Sequence, residues 1–455
     1  MRARAGGGVP VRALRIGAGA GFSGDRIEPA VELAERAGLD YLVFECLAER
    51  TVALAQLERA RDPSRGFDPL LERRMRAVLP AARANGTRVL TNMGAANPAA
   101  AAERVRGVAR ELGLAGLRVA AVESDDVLDA VAGTDATLEI AGVPVASLGG
   151  RLISANAYTG AGPLVEALAA GAEVVVAGRA SDPALFLAPL VHELGWAMDD
   201  WAALGRGTLV GHLLECAAQV SGGYFADPGF SDVPGLADLG FPFAEVEPGG
   251  DATITKLPGT GGLVTRATCT EQLLYEIHDP ARYLQPDVVA DFSGVELVEV
   301  GPDRVRVSGA TGHPRTGSFK VSIGYTDGWI GEGQISYAGP GAEARGRLAI
   351  EVVERRLERL GAAVSEIDAT LVGVDALAGG ARAAGTAPRE VRVRVAARCA
   401  DDGTAALVAD EVESLYLNGP AGGGGVARSV REVVAIDSAL VPASAVRCAV
   451  DVREA

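Results

Sequence analysis

The sequence predicts an α/β protein with a mostly parallel, doubly wound sheet, an antiparallel β-rich segment and a smaller C-terminal α+β lobe. Three observations support this fold class. Short β-branched runs alternate with amphipathic stretches through the first half of the 455 residues, as in successive βα units. Apolar and polar residues alternate at period two beyond about residue 241, which is typical of antiparallel strands. A highly charged helical stretch at 342–360 then leads into the lobe.

The elements of the first half follow one another in a regular order. Apolar runs predict strands at 14–17, 41–44, 88–91, 117–122, 152–156 and 173–177. Between them, apolar residues at helical spacing predict helices at 27–37, 51–60, 70–84, 98–112 and 164–170. The same alternation also fits a (β/α) barrel, which is the alternative. An inserted β-hairpin is predicted at 137–148.

Three regions are predicted along the chain. They are an α/β domain at 1–240, a β-rich segment packed on it at 241–340, and an α+β lobe at 341–455. Strands at 304–308, 319–325 and 333–338 belong to the β-rich segment. A Gly/Ala-rich linker at 377–387 precedes a strand, a helix, a loop and two further strands.

The composition excludes several classes of function. A formal net charge of −16 and the absence of a long arginine cluster argue against nucleic-acid binding, because a negative surface repels phosphates. No apolar run approaches the roughly 20 residues that cross a bilayer. The five cysteines are odd in number and form no C-x-x-C pair, so we expect free thiols. The sequence therefore predicts a cytoplasmic protein, expected to be a homo-oligomer, that acts on a small molecule without nucleic-acid or membrane partners.

Polar residues directly after the predicted strands are the first candidates for chemistry, because open parallel sheets bind ligands beyond the carboxyl ends of their strands. Each such residue alone also fits the role of a helix cap or turn former. Four places contain them: Glu45 and Glu49, Asn92 and Asn97 in TNMGAANP, Asn156 and Tyr158 in SANAY, and Arg179, Ser181 and Asp182 in GRASD.

The first turn matches a dinucleotide-binding pattern. Gly19 to Gly24 has the spacing G-x-G-x-x-G, and Glu45 follows about 20 residues later. Asp25 comes next, however, and places a carboxylate at the helix start where a pyrophosphate would bind. An NAD(P)-linked oxidoreductase is therefore an alternative rather than the leading prediction.

A predicted helix at 211–219 places His212, Glu215 and Gln219 on one face. An imidazole beside a carboxylate can transfer protons or contribute metal ligands. An ordinary polar helix face is the alternative.

The sequence assigns no metal ligands, but it does not exclude the binding of a divalent metal. The lack of paired histidines argues against zinc. Five carboxylates could converge on a metal that prefers oxygen ligands, namely Asp25, Glu45, Glu123, Asp125 and Asp126.

The strongest local signal is the segment ITKLPGTGG, which contains Lys256. Lysine is rare in this chain, since Lys256 and Lys320 are the only lysines among 43 basic residues. Successive amides of a glycine-rich turn bind anions, and a neighbouring lysine adds positive charge. An ordinary connection with a surface lysine is the alternative. The predicted anion site comprises Lys256, Gly259, Thr260, Gly261 and Gly262.

These segments, in this order, resemble the acyclic terpene utilisation AtuA family. The resemblance covers essentially the whole chain through GFSGDR, TNMGAANP, SANAY, GRASD, GHLLECAAQVSGG, ITKLPGTGG, QLLYEI and LYLNGPAGGGG. The family builds its first turn around GF-x-GDR, which makes Gly19 incidental and weakens the NAD prediction. Glu45-Cys46 departs from the family's usual Asp-Tyr, and Cys269 stands where cysteine is not typical.

The resemblance implies a branched acyl-CoA or a related carboxylate as substrate, because the family's genes accompany acyl-CoA carboxylases, enoyl-CoA hydratases and dehydrogenases. We therefore predict a lyase that adds or removes water, or cleaves a C–C bond, β to a thioester or carboxylate. Beyond the CoA moiety of the substrate, no cofactor is assigned. The alternatives are an NAD(P)-linked oxidoreductase and a non-catalytic subunit or acyl-CoA-binding partner of a carboxylase or dehydrogenase.

Such a lyase needs a general base, a general acid and donors to an enolate oxygen. The predicted proton-transfer residues are Glu45, Asp182 and Glu215, and Lys256 with its glycine-rich turn is predicted to bind the anion. The predicted substrate-orienting residues are Asn92, Asn97, Asn156, Tyr158, Arg179 and His212.

Overall fold

A ten-stranded mixed sheet dominates the computed structural model, which describes residues 12–132, 134–377 and 388–455. The chain divides into two units, one containing residues up to 324 together with 436–455, and the other containing 325–435. The divisions fall inside two long strands rather than at the predicted boundaries of 240 and 340. Half of the strands in the predicted β-rich segment extend the large sheet.

The described elements are numbered in chain order. The strands are β1 Leu14–Ala20, β2 Tyr41–Phe44, β3 Arg88–Thr91, β4 Arg118–Glu123, β5 Leu152–Ala157, β6 Val174–Ala177, β7 Pro242–Val246, β8 Ala252–Lys256, β9 Tyr283–Leu284, β10 Val289–Asp291, β11 Glu296–Gly301, β12 Arg304–Ser308, β13 Thr311–His313, β14 Ser318–Ala338, β15 Val364–Val372, β16 Glu390–Cys399, β17 Gly424–Pro442 and β18 Ala449–Glu454. The helices are α1 Glu28–Arg36, α2 Glu49–Arg61, α3 Leu71–Asn85, α4 Pro98–Glu111, α5 Leu128–Val131, α6 Gly162–Ala169, α7 Ala184–Leu194, α8 Trp201–Leu214, α9 Arg266–Leu274, α10 Ala342–Leu360 and α11 Asp402–Asn418.

The large sheet has the strand order β11-β12-β8-β7-β1-β2-β3-β6-β4-β18. The five central strands, from β1 to β4 in this order, are parallel. Antiparallel strands flank them, with β7, β8, β12 and β11 on one side and β18 on the other. The sheet confirms the α/β class, and its antiparallel part explains the period-two pattern after residue 241.

Helices cover the sheet in two layers. In one layer α1 packs on α3 and α3 packs on α4, while in the other α6, α7 and α8 pack in succession. The helices that leave β3 and β6, which are α4 and α7, therefore belong to different layers although their strands are neighbours. Neighbouring strands whose connections leave in opposite directions create a crevice at their carboxyl ends, where α/β proteins bind ligands.

The core explains why the parallel strands have continuous apolar runs. All four residues of β2 and of β6 are buried, since helices cover both faces of these strands. The predicted strands at 41–44 and 88–91 match β2 and β3, and the predicted helix at 342–360 matches α10. No helix in the described part of the chain is long and apolar enough to cross a bilayer.

Three predicted elements differ from the structure. The helix predicted at 211–219 ends at Leu214, the last residue of α8, and a separate 3-10 turn follows at Ala217–Gln219. The hairpin predicted at 137–148 is a tight turn with one antiparallel bridge between Thr137 and Pro144, followed by a 3-10 helix at Val145–Arg151. Pro144 cannot donate a ladder hydrogen bond, which limits pairing there. The two strands predicted at 319–325 and 333–338 are one strand, β14. The predicted linker at 377–387 lies outside the described residues, except for Leu377.

The second unit is built on four strands of a five-stranded sheet, with helices packed on them. Its strand order is β15-β16-β14-β17, and α10 and α11 both pack on β16. Ile335, Val353, Val393 and Val412 are among its fully buried residues. The predicted order of elements after 377–387 is found, but the last strand, β18, pairs with β4 in the large sheet instead of completing the lobe.

Candidate active site

Charged and amide side chains meet at the crevice beyond the carboxyl ends of β2, β3 and β6. Glu45 follows β2, and Asn92 follows β3. The Asn92 side chain donates from Nδ2 to Oε1 of Glu45 at 2.7 Å and accepts from the Cys46 amide at 2.8 Å. The amide of Leu47 donates to the same carboxyl oxygen at 3.0 Å. These contacts hold the buried Glu45 in one orientation.

Glu45 and Asp182 form a carboxyl pair. Asp182 follows β6, and the two carboxyl groups hydrogen-bond to each other. Burial and the charge of Asp182 raise the pKa of Glu45 well above its usual value. Burial also raises the pKa of Asp182, although the Arg179 guanidinium opposes that rise. Two close carboxylates resist ionising together, and the Arg179 guanidinium favours the charged form of Asp182.

Arg179 is the cation of this cluster. Its Nη2 donates to Oδ1 of Asp182 at 2.7 Å, and its guanidinium carbon lies 4.0 Å from the centroid of the Tyr158 ring. The side chain is only 2% exposed. Its Nε and Nη1 atoms are buried without a hydrogen-bond acceptor among the described residues. A buried guanidinium with unused donors suits the binding of a carboxylate or an oxyanion.

Tyr158 extends the cluster to α2 through a hydrogen bond from its hydroxyl to Oε1 of Glu49. Lys320 lies 3.5 Å from the same carboxyl oxygen, and its ammonium lies 5.0 Å from the centroid of the Tyr158 ring. Burial works against ionisation of Glu49, but this hydrogen bond and the charges of Arg179 and Lys320 lower its pKa. Glu49 is therefore a carboxylate at neutral pH.

His212 and Glu215 form a second proton-holding pair at the end of α8. Nδ1 of His212 lies 2.9 Å from Oε1 of Glu215, and Nε2 lies 3.2 Å from the carbonyl oxygen of Leu273. Burial raises the pKa of Glu215 to about 7, with His212 opposing the rise and Asp182 adding to it. Burial disfavours the imidazolium of His212, yet the Glu215 carboxylate raises its pKa. The charge of Asp182 thus links this pair to the first.

Glu276 was not predicted as a site residue. Its charge raises the pKa of both Asp182 and Glu215, and its backbone has a φ of 57°, which is unusual for a residue with a side chain. Ala95 beside Asn92 and Ala217 beside Cys216 also have positive φ. Strained backbone of this kind concentrates at functional sites. Glu276 belongs to the QLLYEI segment, but it follows no strand, so the strand-end rule did not select it.

In the turn predicted to bind a dinucleotide, the Asp25 carboxylate already accepts hydrogen bonds from the backbone amides. Asp25 accepts hydrogen bonds from the amides of Gly21 at 2.9 Å and Arg26 at 2.8 Å. A side chain on Gly21 would lie 2.6 Å from the backbone carbon of Cys216, which explains the glycine. Arg74, also missed in the sequence, donates to the carbonyl oxygens of Ser23 and Asp25 from a fully buried position on α3.

Lys256 and its glycine-rich turn are occupied by contacts within the chain. The Lys256 ammonium lies 3.2 Å from Asp303 and donates to the carbonyl oxygen of Thr260 at 2.9 Å. The amide of Gly261 donates to the carbonyl oxygen of Asp238 at 2.8 Å, and that of Gly262 to the carbonyl oxygen of Pro234 at 2.7 Å. Gly259 lies in the same turn with a φ of 83°. These partners account for most of the donors that an anion would use.

Asn97 and Asn156 make their hydrogen bonds with residues other than Glu45 and Asp182. Asn97 accepts from the Ala100 amide at 3.3 Å as the cap of α4, and its Nδ2 donates to two loop carbonyls. Asn156 donates to Asp125 at 2.7 Å. The structure thus gives Asn97 a helix-capping role and places Asn156 beside β4.

The five carboxylates considered for a metal do not form one cluster. Among the described residues, no three His, Cys, Asp or Glu side chains are grouped to hold a metal ion. Asp25 follows β1, whereas Asp125 and Asp126 follow β4, and three strands separate β1 from β4. At about 4.8 Å per strand these positions are roughly 19 Å apart. The predicted convergence is therefore wrong for this fold.

Comparisons with known proteins place the chain in a family. No curated protein sequence matches it. The model of the acyclic terpene utilisation family protein AtuA matches residues 14–452, which include the carboxyl pair, Arg179 and the His212–Glu215 pair. The match confirms the predicted family and indicates a role in terpene utilisation. The chain belongs to the acyclic terpene utilisation AtuA family.

Proposed function

We propose that the protein is a lyase-type acid–base enzyme that adds water to, or removes it from, a branched acyl thioester or related carboxylate. The observation that carries this proposal is the carboxyl pair Glu45–Asp182 with Arg179 beside it. One member keeps a proton while the other stays ionised, so a general acid and a general base stand side by side.

The roles follow from the environment of each group. In the direction of hydration, the Asp182 carboxylate takes a proton from water as the water oxygen bonds to the β carbon of an α,β-unsaturated substrate. Glu45 then gives its proton to the α carbon. The proton then moves from Asp182 to Glu45 along the hydrogen bond between the two carboxyl groups, which restores the starting state.

Arg179 supplies positive charge where the reaction develops negative charge. Addition of water to the double bond places charge on the carbonyl oxygen of the substrate as an enolate. The buried Nε and Nη1 donors of Arg179 suit that oxygen, because donors fixed in a buried site do not need to reorganise as charge develops. Asn92 fixes the orientation of the Glu45 carboxyl group through its hydrogen bond. The ring of Tyr158 packs against the Arg179 guanidinium and holds it in position.

The NAD(P)-linked alternative receives less support from the geometry. Asp25 already accepts from the amides at the first turn, where a pyrophosphate would bind. The non-catalytic alternative leaves a buried acid–base pair without a use, and buried carboxyl pairs are costly to maintain. Lys256 is assigned a supporting role in its turn, because Asp303 neutralises its charge.

The test is a hydration assay on branched α,β-unsaturated acyl-CoA thioesters and on the free acids, in deuterated water. We expect a mass gain of one water molecule and deuterium at the α carbon. Glu45→Gln and Asp182→Asn should each lower kcat by about 100-fold or more. Glu35→Gln, on the exposed side of α1, is the matched control and should keep full activity. Full activity in the Glu45 and Asp182 variants would remove the pair from the mechanism.

A further inference from the structure

Tyr283 packs against the second proton-holding pair, although neither the strand-end rule nor helical spacing selects it. It is the first residue of β9, and its ring centroid lies 5.3 Å from that of His212 and 5.6 Å from that of Phe292. Nδ1 of His212 in turn lies 2.9 Å from the Glu215 carboxyl group. The ring of Tyr283 is therefore in direct contact with a group that holds a proton.

A hydrogen bond ties the strand of Tyr283 to the loop that contains Asp182. The hydroxyl of Ser181 donates to the side-chain oxygen of Gln285, and Asp182 is the residue after Ser181. Gln285 lies two residues after Tyr283, so extended backbone turns both side chains to the same side of the chain. Pairing of β9 with β10 holds the strand in place. Tyr283 is thus fixed between the Asp182 loop and α8.

The hydroxyl of Tyr283 is a donor without an acceptor. It forms no hydrogen bond with any described residue, and its oxygen reaches solvent. Burial of the side chain raises the pKa of Tyr283, and the charges of Glu215, Asp182 and Glu276 raise it further. The hydroxyl therefore keeps its proton at neutral pH and can donate a hydrogen bond to a molecule in the crevice.

Arg179 and Tyr283 differ in their neighbours around Asp182. Arg179 donates to Asp182 at 2.7 Å and lies against the ring of Tyr158. Tyr283 instead lies against His212. Asp182, the base of the proposed reaction, thus has a charged donor towards Tyr158 and a neutral donor towards His212. A substrate whose carbonyl oxygen meets Arg179 therefore presents a different part to Tyr283.

The charges around the Tyr283 hydroxyl determine which group fits beside it. Glu215, Asp182 and Glu276 are acidic, so a carboxylate or phosphate at this place would be repelled. A neutral oxygen, such as that of water or of an alcohol, accepts from the phenol without that repulsion. The same oxygen can donate its own proton to one of the carboxylates.

We propose that Tyr283 is a further catalytic residue, whose hydroxyl donates a hydrogen bond to the oxygen that is added to, or removed from, the β carbon of the substrate. This inference rests on the proposed hydration reaction. During hydration the contact orients the water, so that one of its protons faces Asp182 as the oxygen bonds to the β carbon. In the reverse direction the same donor stabilises the oxygen as it leaves with negative charge. Tyr283 keeps its own proton throughout, so the proton transfers of Glu45 and Asp182 stay balanced.

Calorimetric titration of the full chain with β-hydroxyisovaleryl-CoA and isovaleryl-CoA tests the contact, because these thioesters differ only in the hydroxyl on the β carbon. We expect wild type to bind the hydroxylated thioester about fivefold tighter, as one added hydrogen bond predicts. Tyr283→Phe keeps the ring against His212 but removes the donor, so it should bind both thioesters equally, with the affinity of wild type for isovaleryl-CoA. Tyr416→Phe, half exposed on α11, is the matched control and should keep the preference.

Unchanged isovaleryl-CoA binding by Tyr283→Phe also shows that this variant is folded. The inference is overturned if Tyr283→Phe keeps the preference, or if wild type shows no preference or no saturable binding of either thioester. The hydration assay separates this result from the proposed function. Hydration by wild type, with the preference kept in Tyr283→Phe, removes the Tyr283 contact and leaves the reaction. A preference lost in Tyr283→Phe, without hydration by wild type, removes the reaction and leaves the contact.

Discussion

The carboxyl group of Glu45 hydrogen-bonds to that of Asp182, although the two residues follow different strands of the sheet. Arg179 donates a hydrogen bond to Asp182 at 2.7 Å. Among the hydrogen bonds of the described residues, it makes none to Glu45. Burial is stronger at Glu45 and the guanidinium is hydrogen-bonded to Asp182, so the charged form is favoured at Asp182. This asymmetry separates two chemically identical groups into an acid and a base.

Replacing Arg179 with methionine should destabilise the protein more at neutral than at acidic pH. Without the guanidinium, the folded-state pKa of Asp182 rises further above its unfolded value. Folding then takes up protons, so the free energy of unfolding falls as pH rises through the folded pKa. We expect a loss of about 3 kcal/mol at pH 7, at the lower end for a broken buried pair because the Asp182 side chain is 32% exposed. Urea unfolding at pH 7 and pH 5 measures it, and an equal loss at both values would contradict the account.

Replacing Glu215 with glutamine should change the titration of His212. Glu215 raises the pKa of His212, whereas burial lowers it. With the carboxylate gone, burial dominates, and the His212 pKa should fall below its usual value. NMR titration of the four histidines measures this directly. An unchanged His212 titration would show that the pair is not coupled.

Replacing Lys256 with methionine should lower stability by removing the cation beside Asp303. We expect a loss of about 1–2 kcal/mol, because Asp303 is 34% exposed and water compensates part of the loss. The double variant Lys256→Met, Asp303→Asn should regain most of this stability. We expect the single variant to lose turnover together with stability, and the double variant to regain both. A stable double variant that lacks turnover would instead support the anion-binding role that the sequence predicts.

Replacing Gly21 with alanine should disturb the first turn. The added carbon would lie 2.6 Å from the backbone of Cys216, which cannot move aside like a flexible side chain. We expect a loss of about 1–3 kcal/mol in thermal unfolding. Gly107→Ala is the matched control, since nothing lies within 4 Å of its added carbon in α4. That variant should gain up to about 1 kcal/mol from higher helix propensity.

Much of the fold and part of the site were predictable from the sequence. Buried runs such as Tyr41–Phe44 identify parallel strands because both faces of those strands are covered. The strand-end rule then selects Glu45, Asn92, Arg179 and Asp182, which the structure brings together. His212 and Glu215 were found through helical spacing, and they form a pair at 2.9 Å.

The remaining features depend on the strand order, which local patterns do not contain. Because β6 lies between β3 and β4, Asp182 meets Glu45 while Asp125 meets Asn156. The partner of Lys256, Asp303, comes from a separate turn after β11. Arg74 did leave a signal, since it shares an apolar helix face with Leu71, Met75 and Val78. A charge on such a face usually indicates a buried partner.

The pairing of β18 with β4 determines when the large sheet can be completed during synthesis of the protein. All residues of the second unit leave the ribosome before β18 does, so the outer edge of β4 stays open while they are synthesised. An open strand edge can pair with another chain. A nascent chain of this protein therefore exposes one edge of its ten-stranded sheet to pairing with other chains until β18 is made.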